Sequence, residues 1–592
     1  MIYLYKSLRE LLNPSDFKKI IFLSLLLFVI VILEVFGVLV ITLLVSSIAD
    51  LDKALTQFNN IFSYINIFNF TFQASINDIL IGIITYIIAS VFIYTLAMRF
   101  ISLETQLITS NLKSNFISTT LSASWIENLN QNTSQRISNI LNDTTQIGFT
   151  LIDLMHLLSR TYLAILLIFW LFIANPIITS LIVLILFSLY TFIHFNIKSS
   201  LALHGDESVK FNQHLVRSIT NMFGHIKEII FYDNQAKQEE ALRDINLTIA
   251  HSTGQKIFLI NLPRFLIDSL ILIMLVGGVA YYANLGFVSE NFYSTVSIFG
   301  IASIKILPAI QNIFYYTQQI VARKSNLKNL LNFYEHNEAN LDKVVTQTLF
   351  PVDILKNIEF NNVNFEYSKS SNVLLDLSAS IEIGEKIAIV GPSGSGKSTF
   401  LDLLIGILPP TSGKILVDSK KINTSNLIKY RQNFSYVPQK IFLTDDSIRE
   451  NILLYSTERN NDLIQDELLQ ESKVSNFLKS FENGINTSIS ESSQMISGGE
   501  KQCIGFARAF VQDKQIIVLD EATSSMDKDL SLSLIKTAIT KSSTVICATH
   551  QSHLLHLFDK IMVFDNGRLV KVDTLENLTR NDKFVSGLMN AK

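Results

Sequence analysis

The sequence predicts a chain of two parts, an α-helical domain that spans a membrane six times and a soluble α/β domain. Long apolar runs are confined to residues 20–320, whereas residues 350–592 have the composition of a soluble protein. A length of 592 residues also exceeds that of a single ordinary domain. A charged stretch precedes the first strand-like run of the second part. We therefore place the domain boundary near residue 340, giving domains at 1–340 and 341–592.

Six apolar runs are long enough to cross a bilayer, which takes about 20 residues. The first run is too long for the core of a signal peptide, so we interpret it as a retained anchor. Among the loops after the first, third and fifth spans, Lys53 is the single basic residue. Basic residues gather on the other side, so the positive-inside rule predicts cytoplasmic termini. The predicted spans are 20–48, 79–98, 150–173, 177–197, 265–283 and 294–316.

Three segments between spans have features of their own. Residues 99–149 and 198–262 are polar with helix-like apolar spacing, which indicates membrane helices that extend into the cytosol; solvated connecting arms are the alternative. The apolar spacing over residues 51–69 predicts an amphipathic helix, either flat on the outer membrane surface or packed against neighbouring spans.

The net charge of the chain is −3, which offers no electrostatic argument for binding nucleic acid. Cys503 and Cys547 fit a reducing cytosol without disulfides.

A glycine-rich loop is the clearest chemical signal in the chain. It follows the apolar run 387–390 and precedes the helical run 400–404, so the pattern is strand, loop and helix. Such a loop turns several backbone N–H groups towards one anion. Lys397 adds a charge for the β- and γ-phosphates, and the Ser398 hydroxyl suits Mg²⁺. The pattern predicts that ATP or GTP binds Gly391, Pro392, Ser393, Gly394, Ser395, Gly396, Lys397, Ser398 and Thr399.

Two further motifs fit nucleotide hydrolysis. An apolar strand, 516–519, ends in Asp520 and Glu521. Asp520 suits Mg²⁺, and Glu521 suits the attacking water as a base. Alone, these residues would more often form a surface turn. The segment Ser497-Gly498-Gly499 opens a helix and offers N–H groups and a hydroxyl to phosphate, although an ordinary helix N-cap is the alternative.

In combination these residues resemble the ABC transporter ATPase across 341–592. Ser497-Gly498-Gly499 matches the signature motif, and 524–527 matches the D-loop. Gln439 matches the Q-loop, His550 the switch histidine, and Tyr367 the aromatic residue that stacks on adenine. The resemblance implies an ATP hydrolase with ATP and Mg²⁺ as cofactors, catalytic residues Glu521 and His550, and Mg²⁺ held by Ser398, Gln439 and Asp520.

The resemblance also implies an assembly and a direction. In this family the signature of one ATPase domain closes over ATP bound to another, so a chain with one such domain pairs, and we predict a homodimer. Six spans fused to a C-terminal ATPase domain are similar to the exporters of the family. We therefore expect a multi-pass exporter or flippase of the bacterial inner membrane. A peptide or multidrug exporter is the first alternative, and an ATP-gated channel or regulator is the more distant one.

Charged residues in the predicted spans are the internal clue to cargo. They either pair within a helix, as Arg264 with Asp268 and Asp153 with Arg160, or line a cavity for an anionic head group. Around Pro263-Arg264 and 294–308, the chain resembles the flippases of lipid-linked oligosaccharides. That resemblance implies that Arg264 and Lys305 hold a lipid pyrophosphate. It is weakened by Tyr86, which stands where that family carries another arginine. A lipid-linked oligosaccharide or similar anionic amphipathic lipid is the leading cargo, while cargo identity, strict direction and a heterodimer with a sister chain stay open.

Overall fold

A computed structural model of the chain divides into two compact units. One unit comprises residues 1–123 and 130–340, and the other comprises 124–129 and 341–592. The predicted amphipathic segment 51–69 lies outside the described residues. The structure describes residues 2–47, 76–130, 133–284, 290–338, 354–367, 372–422, 427–454, 481, 483–489, 496–581 and 587.

The first unit is helical throughout its described residues. Each of the six predicted spans lies within one long helix, apart from residue 48 of the first span, which is outside the described part. A five-residue π-helical turn at Asn139–Asp143 joins two of the helices. The helices of this part of the chain are α1 (Ile2–Leu11), α2 (Pro14–Ser47), α3 (Ile76–Ser122), α4 (Trp125–Asn130), α5 (Thr133–Ser138), α6 (Thr144–Ala174), α7 (Pro176–Gly224), α8 (Ile226–Phe231), α9 (Gln235–Asn284), α10 (Glu290–Ala322) and α11 (Lys324–Glu338).

Four helical segments of the described part are long and apolar enough to cross a membrane. They are Pro14–Ile41, Leu80–Ser122, Thr133–Ala174 and Pro176–Gly224. The fifth and sixth predicted spans lie in α9 and α10, where most side chains between 270 and 298 fall outside the description.

Three helices are far longer than a bilayer requires. Helices α3, α7 and α9 have 47, 49 and 50 residues. At 1.5 Å per residue each is about 70 Å long, against a hydrocarbon core of about 30 Å. The prediction that membrane helices continue without a break into the polar segments is therefore confirmed for 99–122, 198–224 and 235–262.

The turn between α6 and α7 shows how local sequence places a helix boundary. Asn175 has an extended backbone, and its side-chain oxygen accepts a hydrogen bond from the N–H of Ile178 at 3.2 Å. Pro176 occupies the first position of α7, where its missing N–H costs no helical hydrogen bond. The Asn-Pro pair therefore ends one apolar helix and begins the next within a single residue.

The second unit contains a six-stranded sheet and a four-stranded sheet. The larger one has the order β12-β11-β3-β10-β9-β6, and β11, β3, β10, β9 and β6 run parallel. The smaller one is antiparallel, with the order β2-β1-β4-β5. The strands are β1 (Asn357–Glu366), β2 (Asn372–Glu382), β3 (Lys386–Val390), β4 (Ser412–Val417), β5 (Lys420–Lys421), β6 (Phe434–Val437), β7 (Asp446–Ser447), β8 (Ser488–Ile489), β9 (Ile516–Asp520), β10 (Thr544–Ala548), β11 (Lys560–Asp565) and β12 (Arg568–Asp573).

Helices cover both faces of the larger sheet. Strands β9 and β10 are buried at every position, because a parallel strand between two layers has no solvent face. One core contains α15 residues such as Phe506, and the other contains α12 residues such as Phe400. The helices are α12 (Lys397–Leu404), α13 (Leu427–Arg431), α14 (Ile448–Leu453), α15 (Gly498–Val511), α16 (Lys528–Lys541) and α17 (Leu575–Asn581).

Residues 124–129 belong to the second unit although they lie between α3 and α5 in the chain. Ser124 and Glu127 form a capping box at the start of the short helix α4. The N–H of Glu127 donates to the Ser124 hydroxyl at 3.4 Å, and the N–H of Ser124 donates to the Glu127 carboxylate at 3.1 Å. Ile126 packs against the core that contains Phe400. An interpretation of the whole segment 99–149 as solvated arms is therefore wrong for these residues.

The hairpin predicted from Asn566-Gly567 is confirmed. It joins β11 to β12, and φ is +46° at Asn566 and +76° at Gly567, as a type I′ turn requires. A Cβ at Gly567 would lie 2.4 Å from the carbonyl oxygen of Val373. The turn also touches the glycine-rich loop, because the N–H of Gly567 donates to the carbonyl of Ser395 at 3.2 Å.

We predict that Gly567→Ala destabilises the second unit by roughly 1–2 kcal/mol or more, because it adds left-handed strain and a backbone collision. The measurement is the thermal unfolding of the full-length protein. Asn566→Gly is the matched control, since it relieves a left-handed residue in the same turn and should leave the midpoint unchanged or higher. Equal midpoints for Gly567→Ala and wild type would contradict the prediction.

Candidate nucleotide-binding site

The predicted site residues meet at one edge of the larger sheet. Strands β3, β10, β9 and β6 are neighbours and parallel, so their carboxyl ends lie side by side. The loop after β3 is the glycine-rich loop, and β9 ends in the acidic pair. His550 follows β10, and Gln439 follows β6. Four separate motifs of the sequence are thus brought to the place where open α/β sheets bind ligands.

The glycine-rich loop has the close packing that a phosphate cradle needs. A Cβ at Gly391 would lie 2.2 Å from the carbonyl oxygen of Phe564, so no larger residue fits. Gly394 and Gly396 have φ of +80° and +98°, which suits glycine. The buried hydroxyl of Ser395 has no hydrogen-bond partner among the described residues. An anion held by the loop would satisfy such a group, so the loop fits a phosphate.

Lys397 lies at the centre of this loop. It is 5% exposed, and its Nζ donates to the carbonyl oxygens of Gly391 and Pro392 at 3.0 Å each. Burial lowers the pKa of Lys397, while the charges of Glu521 and Asp520 act in the opposite direction. The ammonium group is therefore held beside the loop with the carboxylates as its counter-charges.

Ser398 and Asp520 form an oxygen pair that fits Mg²⁺. The Ser398 hydroxyl donates to Oδ1 of Asp520 at 3.0 Å. Burial raises the pKa of Asp520, the bond from Ser398 opposes this rise, and the charge on Glu521 adds to it. Hard oxygen ligands are those that Mg²⁺ prefers, and bound phosphate and water complete its octahedron. Within the described residues, no cluster of three His, Cys, Asp or Glu could hold a metal instead.

Glu521 is held by two of the other predicted residues. Gln439 Nε2 donates to its Oε2 at 2.8 Å, and His550 Nε2 lies 3.1 Å from its Oε1. This donor bond from Gln439 leaves the amide oxygen of that side chain available as a further metal ligand. The backbone of Glu521 is left-handed, with φ of +48°, and its N–H donates to the carbonyl of Ala548 at 3.0 Å. Strained residues of this kind cluster at functional sites.

The remaining predicted residues lie at the edges of the site. Tyr367 is 37% exposed, and its hydroxyl is 3.4 Å from Oγ1 of Thr399. Ser497 caps α15 through a reciprocal bond with Glu500, so the N-cap alternative is correct as a description of local structure. A Cβ on Gly498 would lie 3.3 Å from the side chain of Ser525. In the described part of the chain, no hydrogen bond joins 497–499 to the glycine-rich loop.

Sequence reasoning missed a bridge between the loops that follow β9 and β10. The Thr523 hydroxyl donates to Oε1 of Gln551 at 2.9 Å, and Gln551 Nε2 donates back to the carbonyl of Thr523 at 3.0 Å. This pair ties the loop after β9 to the loop after β10. Thr523 is two residues after Glu521, and Gln551 directly follows His550, so closeness in the sequence to the predicted residues is the signal that could have found them.

The charged residues of the helical unit pair between helices. Asp268 accepts from Gln311, and Asp153 pairs with Arg323, so the within-helix pairs Arg264–Asp268 and Asp153–Arg160 are wrong. Arg264 is exposed and makes no hydrogen bond or ion pair with any residue that the structure describes. The predicted partners lie one or two turns away on the same helix face, but Gln311 and Arg323, from another part of the chain, make the bonds instead.

Lys305 belongs to a cluster that joins four helices. Its Nζ lies 3.0 Å from Oε1 of Glu34, and Nη1 of Arg160 lies 3.8 Å from the same oxygen. Arg160 Nη2 also donates to the hydroxyl of Tyr94 at 2.9 Å. Two cations therefore share one carboxylate, and the second oxygen of Glu34 is buried without a partner among the described residues.

Comparisons with known proteins agree with this geometry. The family model described as ABC transporter matches residues 374–524, which contain the glycine-rich loop, Gln439 and the acidic pair. The matched segment of the second unit is therefore similar to the ATPase domain of ABC transporters. The whole chain has the fold of the ABC exporters. It superposes on the structure of a bacterial Atm1-family ABC exporter with ATP bound at a TM-score of 0.78 and 20% identity, covering 98% of both chains.

Three curated relatives show the range of proteins that share part of the sequence. Mouse ATP-binding cassette sub-family B member 5 is 37% identical over 240 residues, 40% of this chain and 19% of that protein. The putative multidrug export ATP-binding/permease protein YgaD of Bacillus subtilis is 35% identical over 228 residues, 37% of this chain and 38% of that protein. The ATP-dependent lipid A-core flippase of Albidiferax ferrireducens is 33% identical over 235 residues, which are 39% of this chain and 40% of that protein. The chain thus spans 19–40% of the length of these relatives.

The carboxyl group of Asp402 provides a test of the site's electrostatics. Burial raises its pKa to about 6, and the nearby charge of Asp520 adds to this rise. At pH 8 the folded protein therefore carries an unfavourable charge at this position. As the pH falls through about 6, Asp402 gains a proton in the folded state before it does so in the unfolded state, and the folded state becomes relatively more stable.

We predict that Asp402→Asn raises the unfolding temperature at pH 8 and that this gain shrinks between pH 8 and pH 5. The measurement is a series of thermal melts of the two full-length proteins without nucleotide. Asp446→Asn, at an exposed carboxylate, is the control and should show no such trend. A gain for Asp402→Asn that grows as the pH falls would refute the assignment.

Proposed function

We propose that the protein is an ATP-hydrolysing exporter or flippase that works as a homodimer in the bacterial inner membrane. Its leading cargo is a lipid-linked oligosaccharide or a similar anionic amphipathic lipid. One observation carries the proposal. The Ser398–Asp520 oxygen pair adjoins Glu521, in a chain that has the ABC exporter fold. The side chains of Gln439 and His550 both contact the carboxylate of Glu521.

The geometry supports distinct roles for these residues. Mg²⁺ held by Ser398, Gln439 and Asp520 would neutralise charge on the phosphates. Glu521 lies next to this oxygen pair and has both carboxylate oxygens occupied by side-chain partners, so its orientation is fixed. It is the base for the attacking water. His550 positions Glu521 and offers a second polar group at the γ-phosphate, while Tyr367 offers an exposed ring for stacking on adenine.

The need for a second copy is supported by the signature segment. Ser497 and Gly498 are exposed at the start of α15 and make no hydrogen bond to the glycine-rich loop among the described residues. The N–H of Ser497 donates to Glu500, whereas the N–H of Gly498 and the hydroxyl proton of Ser497 are available to a phosphate bound to another chain. A second exposed surface, an aromatic one, lies at the end of the short helix α8, where Phe231 and Tyr232 are 79% and 74% exposed. We assign both surfaces to contacts with a partner copy.

The cluster around Glu34 supports an anionic cargo. Arg160 and Lys305 carry two positive charges against one carboxylate, so the cluster has a net charge of +1. A net charge among membrane-spanning helices is costly unless it faces water or a counter-charge. An anionic head group would supply that counter-charge. Arg264, which is exposed and lacks a partner among the described residues, is the second cation that we assign to the cargo.

We predict that Glu521→Gln retains ATP binding and loses about 100-fold or more of ATP turnover, because the amide cannot accept the proton of water. Turnover is measured by phosphate release, and binding by titration with a fluorescent ATP analogue. Glu576→Gln, at an exposed carboxylate on α17, is the matched control and should turn over ATP like wild type. Unaltered turnover in Glu521→Gln would refute the assigned base.

We predict for the cargo that a lipid pyrophosphate stimulates ATP turnover in nanodiscs and that Arg264→Ala combined with Lys305→Ala abolishes the stimulation. Glu34→Gln should act in the opposite direction and lower the lipid concentration that gives half-maximal stimulation, since it frees two cations. Lys237→Ala, at an exposed lysine of α9, is the control. Stimulation by hydrophobic drugs alone would favour the multidrug alternative and overturn the lipid assignment.

A further inference from the structure

A polar cavity lies within the helical unit, apart from the cluster around Glu34. Its volume is about 220 Å³, which is several times the roughly 30 Å³ that one water occupies in the liquid. Hydroxyl and amide groups supply most of its polar lining, together with three charged side chains. The lining includes Ser138, Asp143, Ser208, Asn212, Lys256 and Arg323.

The backbone around this cavity is built in an unusual way. The π-helical turn Asn139–Asp143 forms one wall, and π-turns within helices occur frequently at functional sites. On another wall, α7 approaches α10 so closely that a Cβ on Gly205 would lie 2.5 Å from the carbonyl oxygen of Ala322. A larger residue at Gly205 would push these helices apart. The space is therefore shaped by specific backbone features of three chain segments.

Lys256 is the charged group of the cavity that has no direct bonding partner among the described residues. It makes no hydrogen bond or ion pair with any residue in the described part of the chain. Burial lowers the pKa of Lys256, and the positive charge of Arg323 lowers it further. A half-buried ammonium group beside another cation is costly unless an anion joins it.

The other two charges of the lining are already satisfied. Arg323 pairs with Asp153 and donates through Nε to Oε1 of Gln146 at 3.0 Å. Asp143 accepts from Nδ2 of Asn326 at 2.7 Å. Because Asp153 neutralises Arg323, Lys256 and Asp143 remain as one charge of each sign, with Asp143 hydrogen-bonded to a neutral amide and Lys256 without a partner among the described residues. The cavity thus contains an ammonium group that has no direct partner among the described residues, with hydroxyl and amide groups around it.

We propose that this cavity binds a phosphate-class oxyanion, with Lys256 as its counter-ion. Lys256 supplies the charge-assisted bond, and Ser138, Ser208 and Asn212 supply neutral polar groups around the remaining oxygens. The chemistry is shared by free inorganic phosphate and by the phosphate of a phospholipid head group. The site is separate from the glycine-rich loop, which lies in the other compact unit.

The test measures binding to the full-length protein, with the ATP site filled by a non-hydrolysable ATP analogue and Mg²⁺. One arm uses equilibrium dialysis with labelled inorganic phosphate in detergent. The other counts lipids retained from nanodiscs of phosphatidylcholine with or without phosphatidylglycerol, using native mass spectrometry. Binding in the first arm identifies free phosphate as the source, and retention in the second alone identifies the lipid head group.

Three variants identify the site. Lys256→Gln should weaken binding about tenfold or more, which is the scale of one charge-assisted hydrogen bond. Lys256→Arg should bind within a few-fold of wild type. Lys237→Gln, on the same helix and exposed, should bind like wild type. Ser208→Asp leaves Lys256 in place and adds a competing carboxylate, so it should also weaken binding if Lys256→Gln fails to fold.

Two results would overturn the proposal: no binding of phosphate or phosphatidylglycerol beyond the ATP site, or equal binding by wild type, Lys256→Gln and Ser208→Asp. Neither result depends on ATP turnover. A protein that binds phosphate through Lys256 but hydrolyses no ATP would contradict the exporter function and leave this inference standing.

Discussion

The parallel pairing of β3, β10, β9 and β6 is the constraint on which the candidate nucleotide-binding site depends. Ala548 pairs with both Ile389 and Asp520, so the ends of three strands are fixed in one register. A slip of one residue in any strand would turn its side chains to the opposite face. The Ser398–Asp520 and Gln439–Glu521 bonds exist only in the observed register. The distances between these side chains are therefore determined by the pairing of the strands and cannot be read from any single motif.

Much of the second unit could be predicted because its signals are local. The glycine-rich loop, the apolar strand before Asp520 and the Asn566-Gly567 turn each determine structure within about ten residues. The contacts of Glu521 could not be read in the same way. Its left-handed backbone and its bonds to Gln439 and His550 depend on strands that are distant in the sequence. The pair Thr523–Gln551 escaped notice for the same reason.

The helical unit shows the same division between local and distant information. Apolar runs located the long helices, because length and hydropathy are properties of one segment. They did not reveal the ion pairs, since each charged group finds its partner on another helix. Asp153 meets Arg323, 170 residues along the chain, and Lys305 meets Glu34, 271 residues away. Such pairs require the packing of helices to be known.

The length of α9 has a mechanical consequence. It runs unbroken for 50 residues, or about 75 Å. With one end held in a bilayer, such a rod acts as a lever whose free end travels farther than its anchored end. A tilt of about 5° moves its far tip by roughly 6 Å when the pivot is at one end. Sub-ångström rearrangements where it is anchored therefore become displacements as large as a helical turn at its tip.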